Sequence, residues 1–148
     1  MMKIRRAKSG DEIGIYELIQ ELAAYEKAPN EVTNTIGELK QHLFEEEICH
    51  ALVAVENNRI IGFSLYYISY STWKGKCLYL EDFYVKPMHR KKGIGELLFN
   101  QTIEIAKSMQ AKRMDWQVLS WNEIAINFYK KQGTNLDSGW ILGRISFN

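Results

Sequence analysis

The sequence predicts a mixed α/β fold, one sheet covered by helices, and three observations predict it. A chain of 148 residues with 46% hydrophobic and 25% charged side chains has the size and composition of one globular domain. Three β-branched and aromatic runs, "ICHALVAVE", "RIIGFSLYYISY" and "KCLYLEDFYV", follow one another closely. Stretches of helical spacing lie before and after them. The order is one strand, two helices, three strands, a helix, a strand, a helix and a strand, an arrangement that layers helices on a sheet.

Taken in order, "KIRRA" (3–7) forms a short strand. Ser9 or Asp11 then caps a helix in which Ile15, Leu18, Ile19, Leu22 and Tyr25 recur at helical spacing. A weaker helix fits Asn34 to Phe44. Asn57 and Asn58 tolerate left-handed backbone and make a tight hairpin between the first two strand runs. From Ile94 to Met109, the residues Ile94, Leu98, Ile105 and Met109 mark one helical stripe, and "RMDWQVL" resumes strand character. "NEIAINFYKKQG" is a short helix capped by Asn122 or Ser120 and stopped by Gly133, and "GWILGRISF" is the expected last strand.

Ten glycines, two prolines and the lack of any Ser/Gly-rich tract leave no linker, and no internal repeat is present, so residues 1–148 are expected to form a single domain. The N-terminal "MMKIRRAKSGDEIG" lacks the apolar core of a secretory signal, and no stretch approaches the roughly 18 apolar residues of a membrane span. A cytoplasmic protein with no membrane partner is the expectation. Nineteen basic against eighteen acidic residues give a formal charge of +1, too balanced for a general attraction to nucleic acid. Cys49 and Cys77 lie far apart in apolar runs and are expected as buried free thiols, and His42, His50 and His89 are scattered, so no metal site is expected.

Against this even background, "VKPMHRKKGIGELL" (85–98) concentrates charge and glycine between a strand and a helix. Unpaired amides and the positive end of a helix dipole would point outward together at Gly93. Gly93 and Gly95 would let an anion approach the backbone, while Arg90, Lys91 and Lys92 add charge that can reach phosphate oxygens. A sharp turn with a solvated basic rim is the competing reading. A dinucleotide fingerprint fails because Leu98 stands where its third glycine belongs, and no G-K-[ST] follows for a Walker loop.

Glu81 and Asp82 interrupt the apolar strand "LYLEDFYV", and alternation sends them to opposite faces. Each could bond to backbone or to a lysine. Glu81, about a dozen residues before the glycine loop, could instead act as a general base, since a carboxylate in an apolar site has a raised pKa. In the last helix Ile124 and Phe128 form a core-facing stripe, and Ala125 and Tyr129 form a neighbouring one that can face a cleft.

The strand ending in "FYV", the R-x-x-G-x-G pattern of Arg90, Gly93 and Gly95, and the "WNEIAINFYKKQG" helix resemble the GNAT superfamily of acetyl-CoA-dependent N-acetyltransferases. "ELAAYEKA", "YYISYSTWKGKCLYLEDFYV" and "RKKGIGELL" are similar to segments of its diamine acetyltransferases, the spermidine/spermine and thialysine enzymes. The loop departs from the family in carrying Lys91 where glycine is usual. The resemblance implies a central mixed, mostly antiparallel sheet flanked by helices, with acetyl-CoA as cosubstrate, a small-molecule amine as acceptor and no metal. It implies that Phe83, Tyr84 and Val85 pair with the pantetheine arm, that Arg90, Lys91, Lys92, Gly93, Ile94, Gly95 and Glu96 hold the pyrophosphate, and that Asn122 and Lys130 assist. Tyr129 takes the place of the general acid and Glu81 that of the general base acting through water. Tyr25, Glu26, Ser71, Thr72, Trp73 and Asp82 match positions of the amine pocket, and a homodimer is implied. Ser71 and Thr72 stand where the spermidine/spermine branch has an acid, which brings the pocket closer to the thialysine branch. Direct transfer to a neutral amine needs a base, because an amine of pKa about 10.4 is neutral roughly once in a thousand molecules at pH 7.

Overall fold

Asn57 and Asn58 both take left-handed backbone, at φ of 52° and 62°, the conformation that a two-residue hairpin turn demands. They join β2 (His50–Glu56) to β3 (Arg59–Ser71), with Glu56 opposite Arg59. β4 (Gly75–Val85) returns antiparallel to β3, through a turn in which Gly75 takes φ of 101°. β1 (Met2–Arg6) pairs antiparallel with β2, and β5 (Met114–Asp115) adds the parallel pairing, beside Leu78 and Tyr79 of β4. The sheet order β1-β2-β3-β4-β5 is therefore mixed and mostly antiparallel. This computed structural model describes residues 1–147, and the chain divides into two units, Met1–Gln117 with the whole sheet and a C-terminal unit that begins at Val118.

Side-chain alternation gives the sheet two differently used faces. Val53, Phe63 and Tyr84 align across β2, β3 and β4. They share one apolar cluster with Ile15 and Leu18 of α1 (Glu12–Tyr25), Leu39 of α2 (Ile36–Lys40) and Leu43 of the π-helical turn that continues it (Gln41–Glu45). The neighbouring row, Leu52, Ser64 and Phe83, faces α3 (Ile94–Ser108). The Phe83 ring meets Phe99 edge-on at 5.6 Å, and Ser64 Oγ lies 2.9 Å from Thr102 Oγ1. The Thr102 hydroxyl donates to Leu98 O at 2.8 Å, so its single proton is used and Ser64 is the donor to Thr102. Both buried hydroxyls are thereby satisfied, which removes the cost of burying them.

The helix starts follow local chemistry. Thr35 caps α2, its Oγ1 accepting from Glu38 N–H at 3.1 Å. Asn122 caps α4 (Glu123–Lys131), its Oδ1 accepting from Ala125 N–H at 3.2 Å. Asp11 precedes α1 as expected, but its carboxylate turns back to Arg5 at 2.6 Å and to Lys8 N–H at 2.8 Å, so it ties β1 to the helix start without capping it.

Four expectations are corrected. The buried stripe of α3 is Ile94, Leu98, Thr102 and Ala106, with Phe99 beside it, and Ile105 is only half-buried. Thr102 escaped an apolar count because a threonine hides well once its hydroxyl has partners. In α4, Ile124 is 68% exposed while Tyr129 is buried, the reverse of the expected core stripe. Strand structure in "RMDWQVL" is confined to Met114 and Asp115. The expected last strand "GWILGRISF" does not form: residues 134–147 hold no strand, and Trp140, Ile141, Ile145 and Phe147 are exposed. β-propensity measures fit to an existing sheet and cannot supply the edge that a strand needs.

The cluster around α1 makes a stability prediction. Leu18 is fully buried among apolar neighbours, so Leu18→Ala should cost about 2–5 kcal/mol by urea denaturation. A loss under about 1 kcal/mol would show that the cluster closes over the gap.

Candidate active site

The two adjacent carboxylates are placed by a defect in the sheet. Leu65 of β3 lies opposite Asp82, whereas Tyr66 lies opposite Leu80, so Glu81 is the extra residue of a β-bulge. Counting forward from Tyr79, which faces Tyr67, Glu81 falls on the same face as Tyr79. Counting back from Tyr84, which faces Phe63, Asp82 falls on that face as well. The two counts disagree by one residue, and the bulge absorbs the difference. Glu81 and Asp82 therefore share the α1 face of the sheet, which corrects the expectation of opposite faces.

Glu26, which follows α1 directly, completes an acidic group on this face. Burial, and then the charges of Glu81 and Glu26, push the Asp82 carboxyl up to about 7. Burial and then the Glu81 charge also hold the Glu26 carboxyl above its ordinary range. Tyr67 and Tyr79, with ring centroids 5.3 Å apart, lie in the same field. Burial first and Glu81 second raise both phenols, Tyr79 to about 12. Glu81 itself is exposed, which corrects the expectation that it sits in an apolar site. Asp82 can hold a proton near neutral pH, while the group as a whole favours a cation.

Past the bulge, β4 turns an edge outward. Lys86 N–H donates to Ile61 O at 2.8 Å, and antiparallel alternation then directs the backbone groups of Tyr84 into β3 and those of Phe83 and Val85 away from it. Among the three residues expected against a pantetheine arm, Phe83 and Val85 thus offer backbone, and Tyr84 offers its ring to the α1 face. The chain then reaches α3 through Pro87–His89 and the basic loop. Gly93, at φ of 79° with open space where a Cβ would stand, is the residue before α3. Ile94, Gly95 and Glu96 form the first turn of α3, where amide groups lack intrahelical partners. Lys91 is also left-handed, at φ of 65°, which explains why glycine suits this position and what the lysine costs. Arg90 departs from expectation: its Nε donates to Val85 O at 2.8 Å, and its Cζ lies 5.6 Å from the Tyr25 ring centroid and 5.3 Å from that of Tyr84.

The hairpin after β3 carries Ser71, Thr72 and Trp73, with Ser71 Oγ accepting from the N–H groups of Trp73 and Lys74. Lys92 is exposed on the loop. Asn122, Tyr129 and Lys130 belong to the C-terminal unit, where the Tyr129 ring meets Phe128 edge-on at 5.5 Å and Tyr129 O accepts from Thr134 Oγ1 at 2.8 Å. Sequence reasoning missed Tyr67, Tyr79 and Glu21. The two tyrosines become neighbours of Glu81 only through strand register. Glu21, one helical turn before Tyr25, accepts from Tyr84 Oη at 3.2 Å and from Lys86 Nζ at 2.6 Å. Among the described residues no three His, Cys, Asp or Glu side chains are grouped to hold a metal ion, and no helix is long and apolar enough to cross a membrane.

The Asp82 carboxyl gives a pH prediction with a definite sign. Its folded pKa of about 7 lies above the ordinary value, so the native state binds the proton more tightly than the unfolded chain does. The associated stability is present below about pH 4 and is lost as pH rises through about 7. The stability of the wild type relative to Asp82→Asn should fall across this window in denaturation curves. Parallel pH profiles for the two proteins would show that Asp82 ionises in the native state as it does in water.

Comparison with known proteins extends the geometry. Residues 14–134 match the family model described as the acetyltransferase (GNAT) family. The chain is 40% identical over 139 residues to a thialysine N-epsilon-acetyltransferase of Bos taurus, covering 88% of this chain and 82% of that protein. It is 34% identical over 155 residues to spermidine/spermine N(1)-acetyltransferase-like protein 1 of Homo sapiens, covering 97% of this chain and 22% of that protein. Among solved structures, an integron cassette protein from the mobile metagenome of V. cholerae superposes with a TM-score of 0.80 at 26% identity, over 99% of this chain and 93% of the other. With its sheet, its bulged fourth strand and this match over most of its length, the chain belongs to the GNAT family of acetyltransferases, enzymes that use acetyl-CoA as cosubstrate.

Proposed function

We propose that the chain, acting as one domain, transfers the acetyl group of acetyl-CoA directly to a primary amine of a small diamine, polyamine or lysine-like compound of the thialysine type. The observation that carries this reading is the placement of Glu26, Glu81 and Asp82 on one face at the bulge, beside the outward edge of β4. Carboxylates attract the substrate as an ammonium ion, and the reaction then requires its neutral form. Exposed Glu81 takes the proton through water, while Asp82, half-buried beside it, keeps the local charge tunable near neutral pH. Glu26, Ser71, Thr72, Trp73 and Asp82 make up the amine pocket in this reading. Hydroxyls at Ser71 and Thr72 accept a substrate that carries a carboxylate as well as an amine, and the names of the relatives support both amine classes.

On the donor side, Lys91 and Lys92 and the amides from Gly93 to Glu96 hold the pyrophosphate, with Asn122 and Lys130 assisting. The outward groups of Phe83 and Val85 align the pantetheine arm, and an N–H there stabilises the negative charge that develops on the acetyl oxygen. Tyr129 protonates the departing thiolate. A thiol of pKa about 8.5 and a phenol of about 10 make full transfer uphill by roughly 2 kcal/mol, so positioning must supply the rest. The same reading makes the protein a cytoplasmic homodimer, for which the exposed Ile68 and Tyr70 of β3 offer a contact.

Thiol release from acetyl-CoA, followed against spermidine, spermine, putrescine, thialysine, lysine and a lysine peptide, tests the proposal. Thialysine or lysine should be preferred, and Tyr129→Phe should lower kcat by about a hundredfold while leaving coenzyme binding nearly unchanged. Faster turnover of the peptide than of every free amine would favour a protein acetyltransferase. Undiminished kcat in Tyr129→Phe would remove Tyr129 from its role.

A further inference from the structure

Glu21 and Tyr25 stand four residues apart on α1, the spacing that stacks side chains on one face of a helix. Both reach across to the chain as it leaves β4. Glu21 accepts from the Tyr84 hydroxyl at 3.2 Å and from Lys86 Nζ at 2.6 Å. Arg90 Cζ lies 5.6 Å from the Tyr25 ring centroid and 5.3 Å from that of Tyr84. Arg90 Nε closes the arrangement on Val85 O at 2.8 Å. Two acceptor atoms of one carboxylate, two aromatic rings and one carbonyl thus fix three successive anchor points, Tyr84, Lys86 and Arg90, of the segment that leads into Gly93.

We infer that Glu21 and Tyr25 are positioning residues for the coenzyme, acting through Tyr84, Lys86 and Arg90, and that Arg90 is the strut of the basic loop. This rests on the acetyltransferase reading of that loop. The physical need is specific to this chain. Lys91 is held left-handed without the freedom of glycine, so the residue before it must be anchored for the turn to persist. An arginine whose Nε is engaged and whose Cζ lies within about 6 Å of two ring centroids is oriented by the protein before any anion arrives, which lowers the ordering cost of binding. Val85 O, one of the outward groups of β4, is already capped by Arg90, so a pantetheine amide meets Val85 chiefly as an N–H donor. Tyr25, expected from sequence as part of the amine pocket, is reassigned to the coenzyme side. Glu26, the next residue, remains on the amine side, so the end of α1 serves both halves of the site.

The test is calorimetric titration of the full chain with coenzyme A, joined to melting temperatures and to separate KM values for acetyl-CoA and for the amine. Tyr25→Leu should weaken coenzyme A binding about threefold to tenfold, and Tyr25→Phe, which keeps the ring, should recover most of the loss. Glu21→Gln should weaken coenzyme binding about threefold, with the KM of the amine changed less than that of acetyl-CoA. Two results would overturn the inference: a Tyr25→Leu protein that binds coenzyme A normally but shows a raised amine KM, or a Tyr25→Phe protein as impaired as Tyr25→Leu. A fall in melting temperature with unchanged coenzyme affinity would also overturn it, since it would make the contacts structural only. A wild-type protein that binds no coenzyme A would instead sink the reading of the loop itself.

Discussion

One extra residue in β4 decides where two adjacent carboxylates stand. Without the bulge at Glu81, the alternation that puts Leu78 and Leu80 on the α3 face would have carried Asp82 there too, among fully buried apolar side chains. With it, Asp82 joins Tyr84 and Phe63 on the α1 face, and Glu81 stays beside Tyr79. Two consecutive carboxylates on one face of a strand are not available to a regular ladder, so the sheet gives up one paired residue to obtain them. The same shift lets the strand beyond it present Phe83 and Val85 outward, while Tyr84 remains tied to β3.

The carboxylates gain their character from crowding as much as from burial. Asp82 is pushed up to about 7 by burial first, with Glu81 and Glu26 adding to it, and Tyr79 is raised to about 12 by the same kinds of neighbour. Such a group repels further negative charge and stabilises a cation. It also limits its own ionisation, because each proton lost makes the next loss harder. In the proposed reading, a site that attracts an ammonium ion and then needs it neutral benefits from that compromise.

In the proposed site, the amine and coenzyme sides are joined through α1. Its buried face, Ile15 and Leu18, anchors the helix in the core, while Glu21 and Tyr25 reach the segment that follows β4. Apolar burial sets where the helix lies, and a few polar and cation–π contacts set the course of a loop that contains a left-handed lysine. The core contacts are much the stronger, but the weaker ones set the path of the loop proposed to hold the coenzyme.

The sequence by itself determined the helices and the first four strands, the Asn57–Asn58 hairpin, a helical stretch within Asn34 to Phe44, a cap at Asn122 or Ser120 and the glycine loop, because each rests on neighbours in the chain and on the backbone preferences of single residues. It also marked Glu81 and Asp82 as out of place in an apolar strand. Tertiary structure alone decided their common face, since a bulge exists only against a partner strand whose register the sequence does not state. It decided that Arg90 turns to Val85 and two tyrosines, that Thr102 is core, and that Glu21 matters at all, because each depends on a residue far away in sequence. The absence of strand in residues 134–147 has the same cause: β-branched and aromatic side chains fit a sheet, but hydrogen-bonding partners at its edge make the strand.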